Sequence, residues 1–338
     1  MATDKLALGL LLRFGEHYSR ASDPIHWPEL RALARLAEAV GFDTLWCDDN
    51  FFYDTFPDDA PAHGAVRGMW DAFTLLSALA EATSKVSLGS FVACVSYRNP
   101  AHLAKIADTL DDVSGGRLIL GLGAGWNQIE YDAYGYPFDH LASRFEESLK
   151  IIVPLLREGH VDFQGKYYQA RNCELRPRGP RPNGPPIWIG ATKPRMLRLV
   201  ARYADAYNTT WHIRPETMRE RFQDVDAACR EVGRDPTTLQ HTAGSYVAVA
   251  PPDEKVPVQM RPTIRATPEE LARQLHAFHQ AGAEHFTLSV EPWNLAGIER
   301  CGRMIEALRG LEGEKVSERS RTDGGAAEFL ARSKPGSE

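Results

Sequence analysis

Short apolar runs alternate along almost the whole chain with longer stretches in which apolar residues recur at helical spacing. This alternation narrows the fold more than any other feature, because repeated strand–helix units build a parallel sheet whose faces the helices cover. Strands are predicted at Leu6 to Leu12, Thr44 to Cys47, Val86 to Ala93, Leu118 to Leu122, Ile187 to Gly190, Ala206 to Thr209, Gly244 to Ala250 and His285 to Val290. Helices are predicted at Trp27 to Val40, Asp71 to Thr83, Pro100 to Val113, Leu141 to Glu158, Pro194 to Tyr203, Pro215 to Glu231, Pro268 to Ala281 and Leu295 to Leu311. Pro28, Pro100, Pro194 and Pro215 sit near first-turn positions, where a missing N–H costs nothing. Gly41 is placed to end the first helix in a left-handed cap. Eight strands alternating with eight helices over about 310 residues favour an α/β fold of the (β/α)8 TIM-barrel type over a doubly wound sheet.

Three segments exceed a minimal barrel. The stretch at about 51–69, after strand two, carries Pro57, Pro61, Gly64 and Gly68, and its aromatic residues Phe51, Phe52, Tyr53 and Phe56 suit either a pocket wall or core packing. The stretch at about 159–186, before strand five, reads as a hairpin around Gly165 followed by an extended RPRGPRPNGPP linker. The expectation is one domain over 1–312 and a disordered tail over 313–338, where apolar residues are few. The apolar stretch after Lys5 is about seven residues, too short for a membrane span. With 39 basic against 45 acidic residues, a formal net charge of −6 and scattered cations, nucleic acid is not an expected partner. Cys47, Cys94, Cys173, Cys229 and Cys301 are odd in number and widely spaced, which fits reduced thiols in a cytoplasmic protein and no metal site.

Directly after the predicted fourth strand stands Gly121-Leu-Gly-Ala-Gly-Trp-Asn127. A dinucleotide fingerprint needs a glycine at its sixth position and a helix opening at once; here Trp126 stands there, and the next long helical pattern begins near Leu141. The small residues instead suit close approach of a flat ring to the backbone, or simply a turn of the chain. Gly190-Ala-Thr-Lys-Pro-Arg195 follows the fifth strand and opens a helix, where free N–H groups and the helix dipole favour a phosphate, with Lys193 and Arg195 adding charge.

Four blocks in order, GFDTLWCDDNFF, KVSLGSFVACVSYRNPAHLAKIADTLD, SGGRLILGLGAGWNQIEYDAYGYPF and PPIWIGATKPRMLRLVARYADAYN, closely resemble the luciferase-like monooxygenase superfamily, particularly its deazaflavin-dependent branch. The resemblance runs from about Leu6 to Leu311. It implies a barrel with a flavin-type ring at the C-terminal mouth, coenzyme F420 or alternatively FMN as cofactor, a small organic substrate and a homodimer; whether a separate reductase is a further partner is left open by the sequence. It implies cofactor contacts at Asp49, at Cys94 and Val95, at Gly123, Ala124, Gly125, Trp126 and Asn127, and at Gly190, Ala191, Thr192, Lys193 and Arg195. Relatives carry a non-prolyl cis peptide where Cys94-Val95 stands, and one is expected there. Asn127 is expected to pair with the pyrimidine edge of the ring, since an amide supplies both donor and acceptor.

Relatives that oxidise alcohols have a histidine base where this chain has Asn50. An amide accepts no proton at neutral pH, so Asn50 is restricted to orienting a substrate or stabilising charge. Further candidates for acid–base work at strand ends are Glu16 and His17, Glu130, and His212 beside Trp211, although a lone histidine on a loop is more often structural. Three readings follow: F420-dependent hydride transfer, reduced-FMN oxygenation, and cofactor binding without turnover. Lys193, Arg195 and Arg198 suit an exit groove for the longer anionic tail of the deazaflavin.

Overall fold

In a computed structural model of the chain, the structure describes residues 5–16, 24–53, 67–251, 254, 256 and 262–332, with residues 314–332 as backbone only. Eight strands form the frame: β1 (Ala7–Leu11), β2 (Thr44–Cys47), β3 (Ser87–Ser90), β4 (Leu118–Gly123), β5 (Ile187–Gly190), β6 (Ala206–Thr210), β7 (Gln240–Val249) and β8 (His285–Glu291). Each pairs in parallel with the next, and β8 pairs back onto β1, so the sheet closes into a barrel. Eight helices connect and cover the strands: α1 (Trp27–Val40), α2 (Ala72–Ala82), α3 (Pro100–Val113), α4 (Leu141–Glu158), α5 (Pro194–Tyr203), α6 (Pro215–Glu231), α7 (Pro268–Gln280) and α8 (Leu295–Arg332). Their starts follow local chemistry: Asp71 and Asn99 cap free N–H groups of α2 and α3, and Thr267 with Glu270 forms a reciprocal capping box on α7.

Strand parity divides the core. Leu8, Leu10, Leu45, Leu88, Leu118, Leu120, Leu122, Ile187 and Ile189 pack between barrel and helices. Leu11, Trp46, Ile119, Trp188 and Ala206, at alternate positions, form a separate cluster inside the barrel. There the Trp46 ring lies 4.8 Å from Trp188 and 5.7 Å from His285. The large indole fits because Gly9 and Gly89 face it; a Cβ at either position would collide with the Trp46 ring.

Several boundaries differ from the sequence expectation. The third predicted strand divides into β3 and a two-residue strand, Ala93–Cys94, that pairs with β4. Strand β7 begins at Gln240, four residues earlier than apolar content suggests, because inward Thr242 is satisfied by Tyr207 O at 3.0 Å and Asn208 Oδ1 at 2.9 Å. Gln128–Tyr134 is a short helix ended by left-handed Gly135, in a stretch expected to be loop. The hairpin before strand five is present as His160–Gln164 paired with Gln169–Glu174. In the insertion after β2, Phe52–Tyr53 pairs with Arg67–Gly68, and residues 54–66 lie outside the described residues. The expected disordered tail is helical in backbone as far as Arg332, where Glu, Lys, Arg, Ala and Leu are good helix formers and no proline intervenes before Pro335; residues 333–338 lie outside the described residues. No described helix is long and apolar enough to cross a membrane, and no group of three or more His, Cys, Asp or Glu among the described residues is placed to hold a metal.

The interior packing yields a first prediction. Gly89→Ala forces the Trp46 ring to shift and destabilises the fold by about 1–3 kcal/mol in urea denaturation. In a double-mutant cycle with Trp46→Phe the two changes couple by roughly 0.5 kcal/mol or more, whereas simple additivity contradicts direct contact.

Candidate active site at the barrel mouth

A cavity of about 970 Å³ opens at the C-terminal ends of the strands. One side of its wall comes from β2, β3 and β4, through Asp48 to Asn50, Tyr53, Phe91, Val92, Cys94, Tyr97 and Gly123 to Trp126. The other side comes from β5, β6, α6 and β7, through Gly190 to Lys193, Met196, Asn208 to Ile213, Thr217, Arg221 and Tyr246. In a ring of eight strands β2 and β6 are diametrically opposed, so Asp48 to Asn50 face Asn208 to Ile213, whereas Gly123 to Trp126 stand beside Gly190 to Lys193 because β4 and β5 are neighbours.

The β2 side is held by two buried carboxylates. Asp49 accepts hydrogen bonds from Arg98 Nη1 at 2.6 Å, Arg98 Nη2 at 2.9 Å and the Cys94 N–H at 3.0 Å, tying the segment after β3 to the end of β2. Burial pushes the Asp49 carboxyl up, and the Arg98 guanidinium pulls against that. Glu130, fully buried at the start of the short helix, accepts from Asn50 Nδ2 at 3.0 Å, Tyr97 OH at 2.8 Å, Phe52 N–H at 3.1 Å and the Phe51 N–H. With its Nδ2 turned to Glu130, Asn50 presents Oδ1 to the Tyr53 hydroxyl, which donates to it at 2.7 Å. Burial, with Asp48 and Glu130 adding their charge, holds the Tyr53 phenol well above its ordinary value, so Tyr53 stays protonated.

The wall after β4 owes its glycines to the backbone beside it. Cβ atoms at Gly121 and Gly123 would collide with Ser90 O and the Val92 side chain, and one at Gly125, whose φ is +86°, would strike Tyr131 OH. The Cys94 thiol lies 3.0 Å from Tyr131 OH and is pushed up to about 11 by burial, which leaves it neutral. The expected cis peptide at Cys94-Val95 is corrected: the non-prolyl cis bond is Phe91–Val92, three residues earlier, while Val95 begins a buried turn of 3₁₀-helix. Phe91 and Val92 line the cavity, whereas Val95 packs into the outer core.

On the opposite side, the first turn of α5 starts at Pro194 with no side-chain cap from Lys193. Its unpaired N–H groups and the positive end of its dipole border the cavity beside Thr192 and Lys193. Arg195 is not on this wall; it is bound to Glu146 Oε2 at 2.9 Å and Ser143 Oγ at 3.1 Å. Arg198 pairs with Glu231 at 3.5 Å. The second cation on the wall is Arg221, from α6.

His212 is locked in one tautomer. Thr217 Oγ1 donates its proton to Arg214 O at 3.0 Å, so His212 Nδ1, 3.0 Å away, must be the donor to Thr217. The neutral ring then accepts the Thr209 hydroxyl at Nε2, at 2.9 Å. Burial, and then the charge of Arg221, lowers His212 to about 4. The residue thus fixes two hydroxyls on the cavity wall and holds no proton ready for transfer.

Of the residues singled out in the sequence, Asp49, Asn50, Cys94, Gly123, Ala124, Gly125, Trp126, Gly190, Ala191, Thr192, Lys193 and His212 meet on this cavity. Val95, Asn127, Glu130 and Arg195 stand behind or beside it, Asn127 donating to Phe52 O at 3.1 Å. Glu16 accepts from the Gly68 N–H at 2.6 Å, and His17 lies outside the described residues. Sequence reasoning passed over Asp48, Asn208, Thr210, Arg221 and Tyr246. The strand residues among these share the inward parity of Leu11 and Trp46, a signal present in the sequence; Arg221, inside a polar helix, had none.

The family model for luciferase-like monooxygenase matches residues 6–302, and the chain belongs to that family. Among curated relatives, it is 26% identical over 221 residues to the 5,10-methylenetetrahydromethanopterin reductase of Archaeoglobus fulgidus, covering 65% of this chain and 60% of that one. The chain spans 46–60% of the length of the curated relatives it matches. A solved F420-dependent secondary alcohol dehydrogenase holding an F420-acetone adduct superposes with a TM-score of 0.74 at 22% identity, over 90% of this chain and 99% of that one. A riboflavin lyase with modified FMN and riboflavin superposes with a TM-score of 0.75 at 14% identity, over 92% of both chains. At these identities the likeness to the solved structures shows the fold.

A pH prediction follows from the two buried histidines. His212 and His285 are both lowered to about 4 from an ordinary 6.5, chiefly by burial, so the unfolded chain binds protons between these values that the folded chain refuses. Their contribution to stability is complete above pH 6.5 and is lost as pH falls toward 4. The urea midpoint is expected to drop through that window, with a shallower drop in His212→Gln; an equal drop in the variant contradicts the neutral, buried assignment.

Proposed function

We propose that the cavity binds a phosphate-bearing flavin-type cofactor, coenzyme F420 ahead of FMN, and that the chain catalyses hydride transfer between it and a small organic substrate. The observation that carries this reading is a positive edge beside a run of small residues: α5 N–H groups, Lys193 and Arg221 converge at the ends of β5 and β6, next to Gly123 to Gly125 at the end of the adjacent β4. The residues fit the group. Thr192 and Lys193 would hold the phosphate with Arg221, while Gly123, Ala124 and Gly125 offer a wall without bulky side chains to a flat ring. When bound, such a cofactor supplies a ring that carries two electrons and a proton as hydride.

The chain's own residues do the rest. His212 aims the hydroxyls of Thr209 and Thr217 along the phosphate side. Asn50 and Tyr53, fixed through Glu130, orient the substrate at the opposite side, and neither takes a proton from it at neutral pH. Trp126 at the rim and Phe91 and Trp211 along the wall exclude water from the ring. The reading carries with it a homodimer, a cytoplasmic setting with reduced thiols, and a separate enzyme that replenishes electrons.

One observation favours reduced-FMN oxygenation as the second reading. Arg195 and Arg198 are engaged by Glu146 and Glu231, so only Lys193 of the three expected groove cations lines the cavity, and FMN needs no tail groove.

Titration of the apoprotein with oxidised F420, FMN and riboflavin, followed by ring fluorescence, separates these readings. F420 is expected to bind at least about tenfold more tightly than FMN. Lys193→Ala and Arg221→Ala should each weaken the phosphate-bearing cofactors by about 10–100-fold, the scale of a hydrogen bond to a charged group, and leave riboflavin unchanged. Tighter FMN binding overturns hydride transfer from F420, and failure of all three to bind removes the cofactor assignment.

A further inference from the structure

Hydride addition to a carbonyl carbon puts negative charge on its oxygen, so such a site needs a group that delivers a proton there. Most groups of that chemistry on the wall are engaged by neighbours. Tyr53 donates to Asn50 Oδ1 at 2.7 Å, Tyr97 donates to Glu130 at 2.8 Å, and the neutral Cys94 thiol lies 3.0 Å from Tyr131 OH. Asp49 is bound by Arg98, and His212 is a neutral ring between two threonine hydroxyls.

Tyr246, from β7, differs. Ala243, Val247 and Val249 of the same strand pack into the outer core, which turns Tyr246 inward, and it lines the cavity at 9% exposure. Among the described residues its hydroxyl has no hydrogen-bond partner, yet the oxygen is not sealed into the wall. Burial raises the phenol well above its ordinary value; the charge of Asp48 adds to the rise and that of Arg13 opposes it, so Tyr246 keeps its proton at neutral pH. It lies toward the substrate side, near enough to Tyr53 that its charge would raise that phenol too. The ring is held in place by Trp211, which stacks on it at 3.9 Å and 6°. The Trp211 backbone is left-handed at φ 68°, a strained conformation for so bulky a residue, held by hydrogen bonds from the N–H groups of Trp211 and His212 to Gly244 O at 2.7 and 3.1 Å. Such retained strain fits a stack whose position matters to the site.

We propose that Tyr246 is the catalytic proton donor of this site, its hydroxyl meeting the carbonyl oxygen of an aldehyde or ketone substrate. As hydride from the reduced cofactor bonds to the carbonyl carbon, the π pair of the C=O bond moves onto oxygen, which takes the Tyr246 proton while the phenol O–H bond breaks. The carbonyl compound is reduced to an alcohol, the cofactor is oxidised, and the phenolate regains a proton from water at the cavity mouth. A phenol whose proton is held this firmly acts as donor to an oxygen that is becoming an alkoxide, a still stronger base. The inference rests on the proposed function in one respect, the supply of hydride by a bound cofactor.

The test is fluorescence titration of the full chain with 6-acetyl-2-(dimethylamino)naphthalene, a flat ketone whose emission moves to the red when its carbonyl accepts a hydrogen bond, and with its 6-ethyl counterpart, which has no carbonyl. Tyr246→Phe is expected to weaken the ketone by about 3–10-fold, the scale of one neutral hydrogen bond, to shift its bound emission to the blue, and to leave the ethyl compound unchanged. A ketone that does not bind, an equal loss for both probes, or an emission unmoved by the substitution overturns the proposal. If Tyr246→Phe does not fold, the infrared carbonyl stretch of the ketone bound to the parent protein decides, and a band no lower than in dry hexane overturns it. With reduced F420 added, Tyr246→Phe should lower kcat for ketone reduction at least about 100-fold, with a far smaller change in KM. A Tyr246-dependent emission without reduction by the parent sinks the hydride-transfer reading alone; reduction that survives Tyr246→Phe sinks the proton-donor assignment alone.

Discussion

The packing of the Trp46 indole inside the strand ring is the constraint on which the rest of the structure depends. A closed barrel of eight strands has an interior that side chains must fill, and this chain fills much of it with Trp46, Trp188 and His285. Two glycines on the strands that flank β2, Gly9 and Gly89, offset that bulk in side-chain volume. Because the indoles close the interior, the functional space lies above them, bounded by Leu11, Phe91 and the strand-end segments.

What converts that space into a site is the ordering of otherwise irregular segments by buried charge. Asp49 with Arg98 fixes the segment after β3, and Glu130 gathers the segment after β2 onto the short helix after β4. Removing one partner of such a pair leaves the other buried and unpaired, so these carboxylates hold the wall in one arrangement. His212 has the same role on the opposite side, with two threonine hydroxyls in place of charges. Three residues with the chemistry of acids and bases thus each hold neighbouring groups of the wall in place.

Much of the fold was legible because strand and helix periodicities are direct consequences of which face is buried; most of the predicted elements agree with the structure to within a few residues. That the loop before Pro194 borders the cavity was legible too, since a small-residue turn opening a helix is a local signal. For Glu130 and Asn127 a strand-end position does not reveal whether a side chain points into the space or toward neighbouring segments. Their partners, Asn50, Tyr97 and Phe52, are 33 to 80 residues distant in sequence. Arg195 and Lys193 differ by two residues, yet one faces the cavity and the other Glu146, a distinction set by helix rotation and by α4. Asp48 was overlooked beside Asp49; both lie past the end of β2, where strand parity no longer sets which way a side chain points, and both line the cavity.

In the function proposed above, a flavin-type cofactor lies across the cavity with its phosphate at the β5–β6 side. A crystal structure of the chain with oxidised F420 tests this most directly. The account predicts phosphate oxygens within hydrogen-bond distance of Lys193, Arg221 and the first N–H groups of α5, with the ring against Gly123 to Gly125. A phosphate seated beside Asp48 and Tyr53, or a cofactor bound outside the barrel mouth, would contradict it.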